Sequence, residues 1–260
     1  MGSQPQIANR MPRLSLSRST QVRSLHRKKG RSEERAFLAE GERLLEELAG
    51  VPERVRYLFG TRDRVDWLMG RFPDAEVYEI DGEGNRLFAT ENAQGVGGVV
   101  EMPEPATAAD IAAVDAPVIF LDRLADPGNA GTILRTAEWF GAAGVLFGEG
   151  SVDPYNPKVV RATMGAIFRL PIALDVPIAA LHPLEIPLHA LDAGGEEQLG
   201  MHPLPVHAIY AVGSEAHGVS AELRPHARLL RIAGGGGGES LNAAIAASIL
   251  LYEIFRGSST

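Results

Sequence analysis

The sequence contains no cysteine. That excludes disulfides, thiolate metal sites and cysteine nucleophiles together. Lysine is nearly missing as well: Lys28, Lys29 and Lys158 are the only three, and every other basic side chain is an arginine. No apolar run approaches the roughly 20 residues needed to span a bilayer, which argues against an integral membrane protein. The Arg-rich start lacks a following apolar stretch, so it does not read as a secretory signal, and a cytoplasmic protein is expected. The seven histidines are scattered, and none has metalloprotease spacing with an acid. No metal site is expected, and His217 and His226 read as turn or surface residues.

What is present is ordinary globular material: 260 residues, 45% hydrophobic and 22% charged. That length suits one large or two ordinary domains and buries a core without staples. The net charge of −8 conceals an asymmetry. Residues 1–35 hold nine cations (Arg10, Arg13, Arg18, Arg23, Arg27, Lys28, Lys29, Arg31, Arg35) against Glu33 and Glu34. A basic arm on an acidic body suits a polyanion, because clustered cations displace counterions from phosphates. Arg23, Arg27, Lys28, Lys29 and Arg31 are therefore candidate RNA contacts; the plainer alternative is a solvated leader.

Periodicity divides the chain. Residues 1–22 have little apolar pattern and read as a flexible basic leader. From Ser32 to Ala49 the pattern predicts a helix, with Phe37, Gly41, Leu44, Leu45 and Leu48 on one face and Gly50 as its stop. Val55, Tyr57 and Phe59 alternate like a strand; segments 76–80 and 94–100 read as two more. These place a small α/β domain at 23–105. A Pro-, Ala- and acid-rich stretch follows and reads as a linker over 106–116. The remainder, 117–260, alternates strand and helix. Apolar strands are expected near 118–121, 144–147, 169–173, 188–192 and 207–212. Helices are expected over 130–140, from Pro157, and over 241–255. Continuously apolar strands between helices indicate a parallel sheet covered on both faces.

Ligands bind open parallel sheets beyond the carboxyl ends of the strands, and three loops there carry unusual residues. The first is DPGNAG (126–131). Asn129 is a candidate helix cap and Arg135 lies nearly two turns on, an arrangement that could receive a phosphate. The second is GSEAHG (213–218), where glycines let a ligand approach the backbone and Glu215 could orient a hydroxyl. The third runs from Arg231 through five glycines (Gly234 to Gly238) to Ser240 and Asn242. Its backbone could wrap a ligand, Ser240 could cap the last helix, and Asn242 would sit in the first turn. Taken singly, each also reads as a plain capped helix, a tight turn or a floppy linker.

In this order and spacing, the segments DPGNAGTILRTAEWFGAAGVLFGEGSVDPYNPKVVRATMGAIFRLPI (126–172), VGSEAHGVS (212–220) and ESLNAAIAASILLYEIFR (239–256) resemble the three motifs of the SpoU (TrmH-type) branch of the SPOUT RNA methyltransferases. FLAEGERLLEELA (37–49) and QGVGGVV (94–100) more loosely resemble the ribosomal-protein-like substrate-binding domain many of these enzymes carry. The resemblance implies an α/β fold whose C-terminal parallel-sheet domain holds a deep trefoil knot. It also implies S-adenosylmethionine as methyl donor, an RNA ribose 2′-oxygen as acceptor, and a homodimer with active sites near the subunit interface. Carried over by motif, Asn129, Arg135, Glu215, Ser240 and Asn242 are the expected catalytic polar residues. Gly213, Ile232, Gly234 and Leu241 are the expected donor-binding positions. Where the family has Ile-Pro-Met, this chain has Ile232-Ala233-Gly234, losing stiffness and an apolar contact.

The family gives proton removal to the arginine. A guanidinium is a poor proton acceptor and is better suited to grip a phosphate and stabilise an emerging alkoxide. The N-terminal domain and basic arm favour ribosomal RNA, 23S above all, over transfer RNA. A Rossmann-type enzyme, suggested by Gly148-Glu149-Gly150, lacks a third glycine at the needed spacing. A non-catalytic RNA-binding assembly factor of the same fold is the remaining alternative, and binding of S-adenosylmethionine separates the two.

Overall fold

The computed structural model describes residues 11–81, 86–90, 94–236 and 240–258. The chain forms two compact units: residues up to Met102 together with Tyr155–Pro157, and the rest. The division thus falls earlier than the 106–116 stretch.

In the first unit, Ser15 accepts a hydrogen bond from the Arg18 N–H and starts α1 (Leu16–Ser24). This corrects the expected flexible leader over its described part. Val22 of α1 and Leu25 just after it are fully buried, and Pro12 and Leu14 hydrogen-bond the backbone of Glu79. Residues 1–10 lie outside the described residues. Next come α2 (Lys28–Glu34), β1 (Ala36–Glu40) and α3 (Glu42–Leu48). The single helix expected over 32–49 is therefore three elements. All five residues of β1 are buried, and a short strand covered on both faces is as continuously apolar as a buried helix, so periodicity alone cannot separate them. Gly41 is the break: its φ of 96° makes the turn from β1 into α3, in a region that β-carbons resist.

β2 (Val55–Thr61), α4 (Val65–Arg71), β3 (Val77–Ile80) and β4 (Val96–Glu101) complete the unit. The sheet order is β1-β4-β2-β3. β4 is antiparallel to both neighbours, and β3 is parallel to β2. On one face, Val22 and Leu25 pack with Leu38, Tyr57, Phe59 and Val99. Each such buried side chain contributes about 1.5–3 kcal/mol relative to exposure.

The second unit opens with α5 (Ala108–Ala112), started by a reciprocal Thr107–Asp110 capping box. The stretch read as a linker is therefore ordered, and its Ile111 joins the hydrophobic core. Then follow β5 (Val118–Asp122), α6 (Pro127–Trp139), β6 (Gly144–Gly148), α7 (Pro157–Thr163), β7 (Ile172–Val176), β8 (Leu188–Leu191), β9 (Glu197–Gln198), β10 (Ile209–Gly213), β11 (Arg228–Arg231) and α8 (Ala243–Ser258). The short polar β9 and the arginine-flanked β11 gave no apolar signal. β7 begins three residues later than expected because residues 166–168 form a 3₁₀ turn.

The seven-stranded sheet has the order β7-β6-β5-β10-β8-β11-β9. Every pairing in it is parallel, and all residues of β5, β6 and β10 are buried. An all-parallel sheet puts every carboxyl end on one edge, so the loops after β5, β10 and β11 share that edge. No helix among the described residues is long and apolar enough to cross a membrane.

Candidate active site

The loop after β5 enters α6 through Asp126, whose carboxylate accepts the Asn129 N–H at 2.7 Å. Asp126, not Asn129, is the cap, and Pro127 occupies the first helical position, where its missing N–H costs nothing. Asn129 is thereby released for other work. Its Nδ2 donates to Glu215 Oε1 at 2.5 Å, and its Oδ1 accepts from Asn242 Nδ2 at 2.9 Å. Asn242 Oδ1 in turn accepts from the N–H groups of Ala244 and Ile245. Asn242 therefore caps α8, the role expected of Ser240, and it sits just before the helix and not in its first turn.

One hydrogen-bonded chain thus runs Glu215–Asn129–Asn242–α8 and joins all three loops. Each amide orientation follows from its partners, because a carboxylate can only accept and a helix N–H can only donate. The helices continue the match: Thr136 Oγ1 lies 3.4 Å from Ser248 Oγ, and the Phe140 ring meets Tyr252 and Phe255. α6 and α8 therefore run parallel, with their positive N-terminal ends side by side at the Glu215 carboxylate.

The loop after β10 is built to be tight. A β-carbon on Gly213 would stand 2.0 Å from the Gly218 carbonyl carbon, so only glycine fits. Ser214 and Gly218 exchange backbone hydrogen bonds at 3.1 and 2.8 Å. This closes the turn that presents Glu215. Gly213 pairs with Asp122 in the ladder, and the buried Asp122 carboxylate holds the Ser220 N–H at 2.6 Å. That clamp on the same turn was not anticipated; its only sequence signal was an acid ending an apolar strand.

Not every expected residue joins the cluster. Arg135 lies on the exposed stripe of α6 with Thr132 and Trp139. It turns about 120° around the helix from Asn129 and has no polar partner among the described residues. Ser240 is exposed with no partner of its own among them. Ile232 is half-buried directly after β11, Gly234 is exposed with open space around it, and Leu241 is 51% exposed. Gly237, Gly238 and Glu239 lie outside the described residues. Two clefts lie elsewhere, one in the N-terminal unit and one beside residues 200–204.

The candidate RNA contacts divide similarly. Arg23, Arg27, Lys28 and Lys29 are exposed. Arg31 is corrected: it is 2% exposed, and its Nη1 donates to the Leu25 carbonyl at 2.8 Å. It closes the end of α1 and faces no solvent. Among the described residues no group of three or more His, Asp or Glu side chains could hold a metal ion.

Residues 116–252 match the SpoU rRNA methylase family, and residues 18–97 match the MRM3-like substrate-binding domain. The chain is 31% identical to the 23S rRNA (guanosine(2553)-2′-O)-methyltransferase RlmP of Bacillus subtilis, over 89% of this chain and 93% of that protein. Among solved structures it resembles an RNA methyltransferase of the TrmH family from Porphyromonas gingivalis, at 35% identity and a TM-score of 0.80 over 94% and 98% of the two chains. It also resembles the SpoU methyltransferase AviRb of Streptomyces viridochromogenes in complex with AdoMet. There the identity is 27% and the TM-score 0.83, over 95% and 99%.

Proposed function

The chain belongs to the SpoU rRNA methylase family, which makes it an S-adenosylmethionine-dependent RNA 2′-O-ribose methyltransferase, and we propose that it acts on 23S ribosomal RNA, as a homodimer, in the cytoplasm. The observation that carries this reading is the Glu215–Asn129–Asn242 chain, which gathers three distant loops at the carboxyl edge of a parallel sheet. The relative whose name specifies 23S rRNA and a ribose 2′-oxygen matches both units of this chain.

The donor set suits S-adenosylmethionine. Residues 215–218 and 233–236 are exposed in the loops at that edge, and Ile232 and Leu241 supply apolar surface. When bound, the donor supplies an electrophilic methyl group on a sulfonium. Ile232, Gly234 and Leu241 would hold it, with the Gly213 turn below.

The chain's own residues then position the acceptor. A ribose hydroxyl must approach the methyl carbon in line, at roughly 3–3.5 Å, and lose its proton as it attacks. Asn129 and Asn242 would orient that ribose. Glu215 locks the Asn129 amide in one orientation and thereby acts through it. A guanidinium is a poor proton acceptor, so in this reading Arg135 grips the neighbouring phosphate and stabilises the developing alkoxide. Ser240, a water or a phosphate oxygen would receive the proton.

The homodimer rests on an apolar stripe. Leu241 just before α8, Ile245, Tyr252 and Phe255 on α8, and Trp139 on the adjacent α6 are 49–82% exposed. Contiguous apolar surface of this kind marks an interaction site. Arg135 shares the exposed side of α6 with Trp139, which would put it at the subunit interface. The threaded C-terminal tail of the family belongs to the same proposal.

Replacing Arg135 with Ala tests the role split. Turnover on 23S rRNA should fall about 10²–10³-fold, while calorimetric affinity for S-adenosylmethionine stays within about twofold; equal loss of both contradicts it. Mapping ribose methylation in RNA from a strain lacking the protein tests the target. A lost 2′-O-methyl group in transfer RNA, with 23S rRNA unchanged, would overturn the ribosomal assignment.

A further inference from the structure

The N-terminal unit carries a cleft of about 180 Å³ between the start of α1 and the end of β3. Its cations come from three separate stretches: Arg13 on the segment laid against β3, Arg23 in the last turn of α1, and Arg86 beyond β3. All three are exposed. Arg23 Nε donates to the Ser19 carbonyl at 3.2 Å, which leaves its two terminal amino groups for a ligand. Arg13 and Arg86 have no side-chain polar partner among the described residues. Three arginines therefore line one small cleft, and among the described residues no side-chain hydrogen bond or ion pair ties down the Arg13 or Arg86 guanidinium.

The lining also limits what can enter. Glu79 and Asp81 face the same cleft, and Glu79 is already paired with Arg62 at 3.0 Å. The positive excess is therefore small and matches a singly charged anion better than a polyphosphate. At about 180 Å³ the cleft is well below the 300–1,000 Å³ of a site that encloses a whole cofactor. Beside it stands Leu16, 85% exposed, an apolar surface against which an unstacked base can rest.

We propose that this cleft grips one phosphodiester of the RNA substrate and anchors the strand on the N-terminal unit. The proposal rests on the methyltransferase reading and adds a defined contact point to it. Guanidinium forks take the phosphate oxygens. The carboxylates can accept from the adjacent 2′-hydroxyl, the group that separates RNA from DNA.

The test uses the full chain and a fluorescein-labelled single-stranded RNA of mixed sequence, followed by anisotropy across a salt series. The double variant Arg13→Gln, Arg86→Gln should bind about fourfold more weakly near 150 mM salt, with a log–log salt slope shallower by about 0.7, the loss of one phosphate contact on a single strand. Arg43→Gln, on α3, removes an exposed charge outside the cleft and should leave the slope unchanged. Binding of S-adenosylmethionine and the thermal midpoint should match the unmodified protein in both. DNA of the same sequence should bind more weakly than RNA, and millimolar inorganic phosphate should not compete. An unchanged slope in the double variant, an equal loss in Arg43→Gln, or competition by inorganic phosphate overturns the proposal. If the protein methylates RNA but the slope does not move, the cleft fails and the enzymatic reading stands. If the slope moves but no RNA is methylated, the anchor is supported and the enzymatic reading fails.

Discussion

The hydrogen bond from Asn129 to Glu215 makes a sharp prediction, because Asn129→Asp changes one atom's character and almost nothing of its shape. The Nδ2 that donates to Glu215 at 2.5 Å becomes an oxygen, and two carboxylates then face each other. The bond from Asn242 survives, since Oδ1 still accepts it. A hydrogen bond to a charged group contributes about 1.5–3 kcal/mol. Two like charges 4 Å apart repel by about 1 kcal/mol in water and by more at a protein surface. Glu215 is exposed, so screening keeps the cost at the lower end, about 2 kcal/mol. For a domain of this size that is a fall of roughly 4–8 °C in thermal midpoint near pH 7.5. The sign with pH follows from the pair. The folded state holds a shared proton more tightly than the unfolded chain does, so the folded pKa is raised. The deficit should vanish at low pH and grow as pH rises from about 4. Adding Glu215→Gln reverses the bond's polarity, with Gln donating to Asp, and should restore most of the loss. Melting curves of the parent, both single variants and the double variant between pH 4 and 8 form a complete cycle. A double variant no more stable than Asn129→Asp alone would refute the pairing and, with it, the convergence of the loops.

Three further outcomes follow from the same structure. His189 is 4% exposed, stacks on Tyr210 and has no hydrogen-bond partner on either ring nitrogen among the described residues. Burial, aided by the nearby Arg228 and opposed by Glu197, holds its pKa below the usual histidine value. The unfolded chain therefore binds more protons below about pH 6.5, and stability falls as pH drops through that window. In His189→Phe the loss of thermal midpoint between pH 7.5 and pH 5 should shrink, and an unaltered loss would exonerate this histidine. Phe255→Glu places a charge on the exposed α6–α8 stripe and should convert a dimer into a folded monomer on light-scattering chromatography, with activity lost; a dimer that persists would redirect the interface elsewhere. Gly213→Ala puts a β-carbon within 2.0 Å of the Gly218 backbone. It should destabilise the second unit by about 3 kcal/mol, and a wild-type melting curve would contradict the described turn.

Much of this molecule was legible in its residues. The short apolar runs of β5, β6 and β10, alternating with helical stretches, read as buried parallel strands, and the polar triplet Asn129, Glu215 and Asn242 stood out because each followed such a strand or preceded a helix. Those are local signals: periodicity, punctuation by glycine and proline, and residue chemistry within a few positions. The failures were local signals too weak to separate alternatives. Val22 and Ile111 sit in short helices, α1 and α5, whose compositions mimic a leader and a linker, while β1 carries an apolar run that reads equally well as a helix.

The division of labour within the site belonged to the tertiary structure alone. The sequence could nominate Asn129 and Ser240 as caps. Asp126 and Asn242 take those roles through bonds two or three positions long, and the meeting of loops more than 80 positions apart determined that Asn129 bridges Glu215 and Asn242. Arg31 adds a second case: its charge was visible in the chain, but its burial to 2% exposure was not. Which of several possible partners a polar side chain takes is set by who arrives next to it when the sheet assembles, and that proximity is written in no window of neighbouring residues.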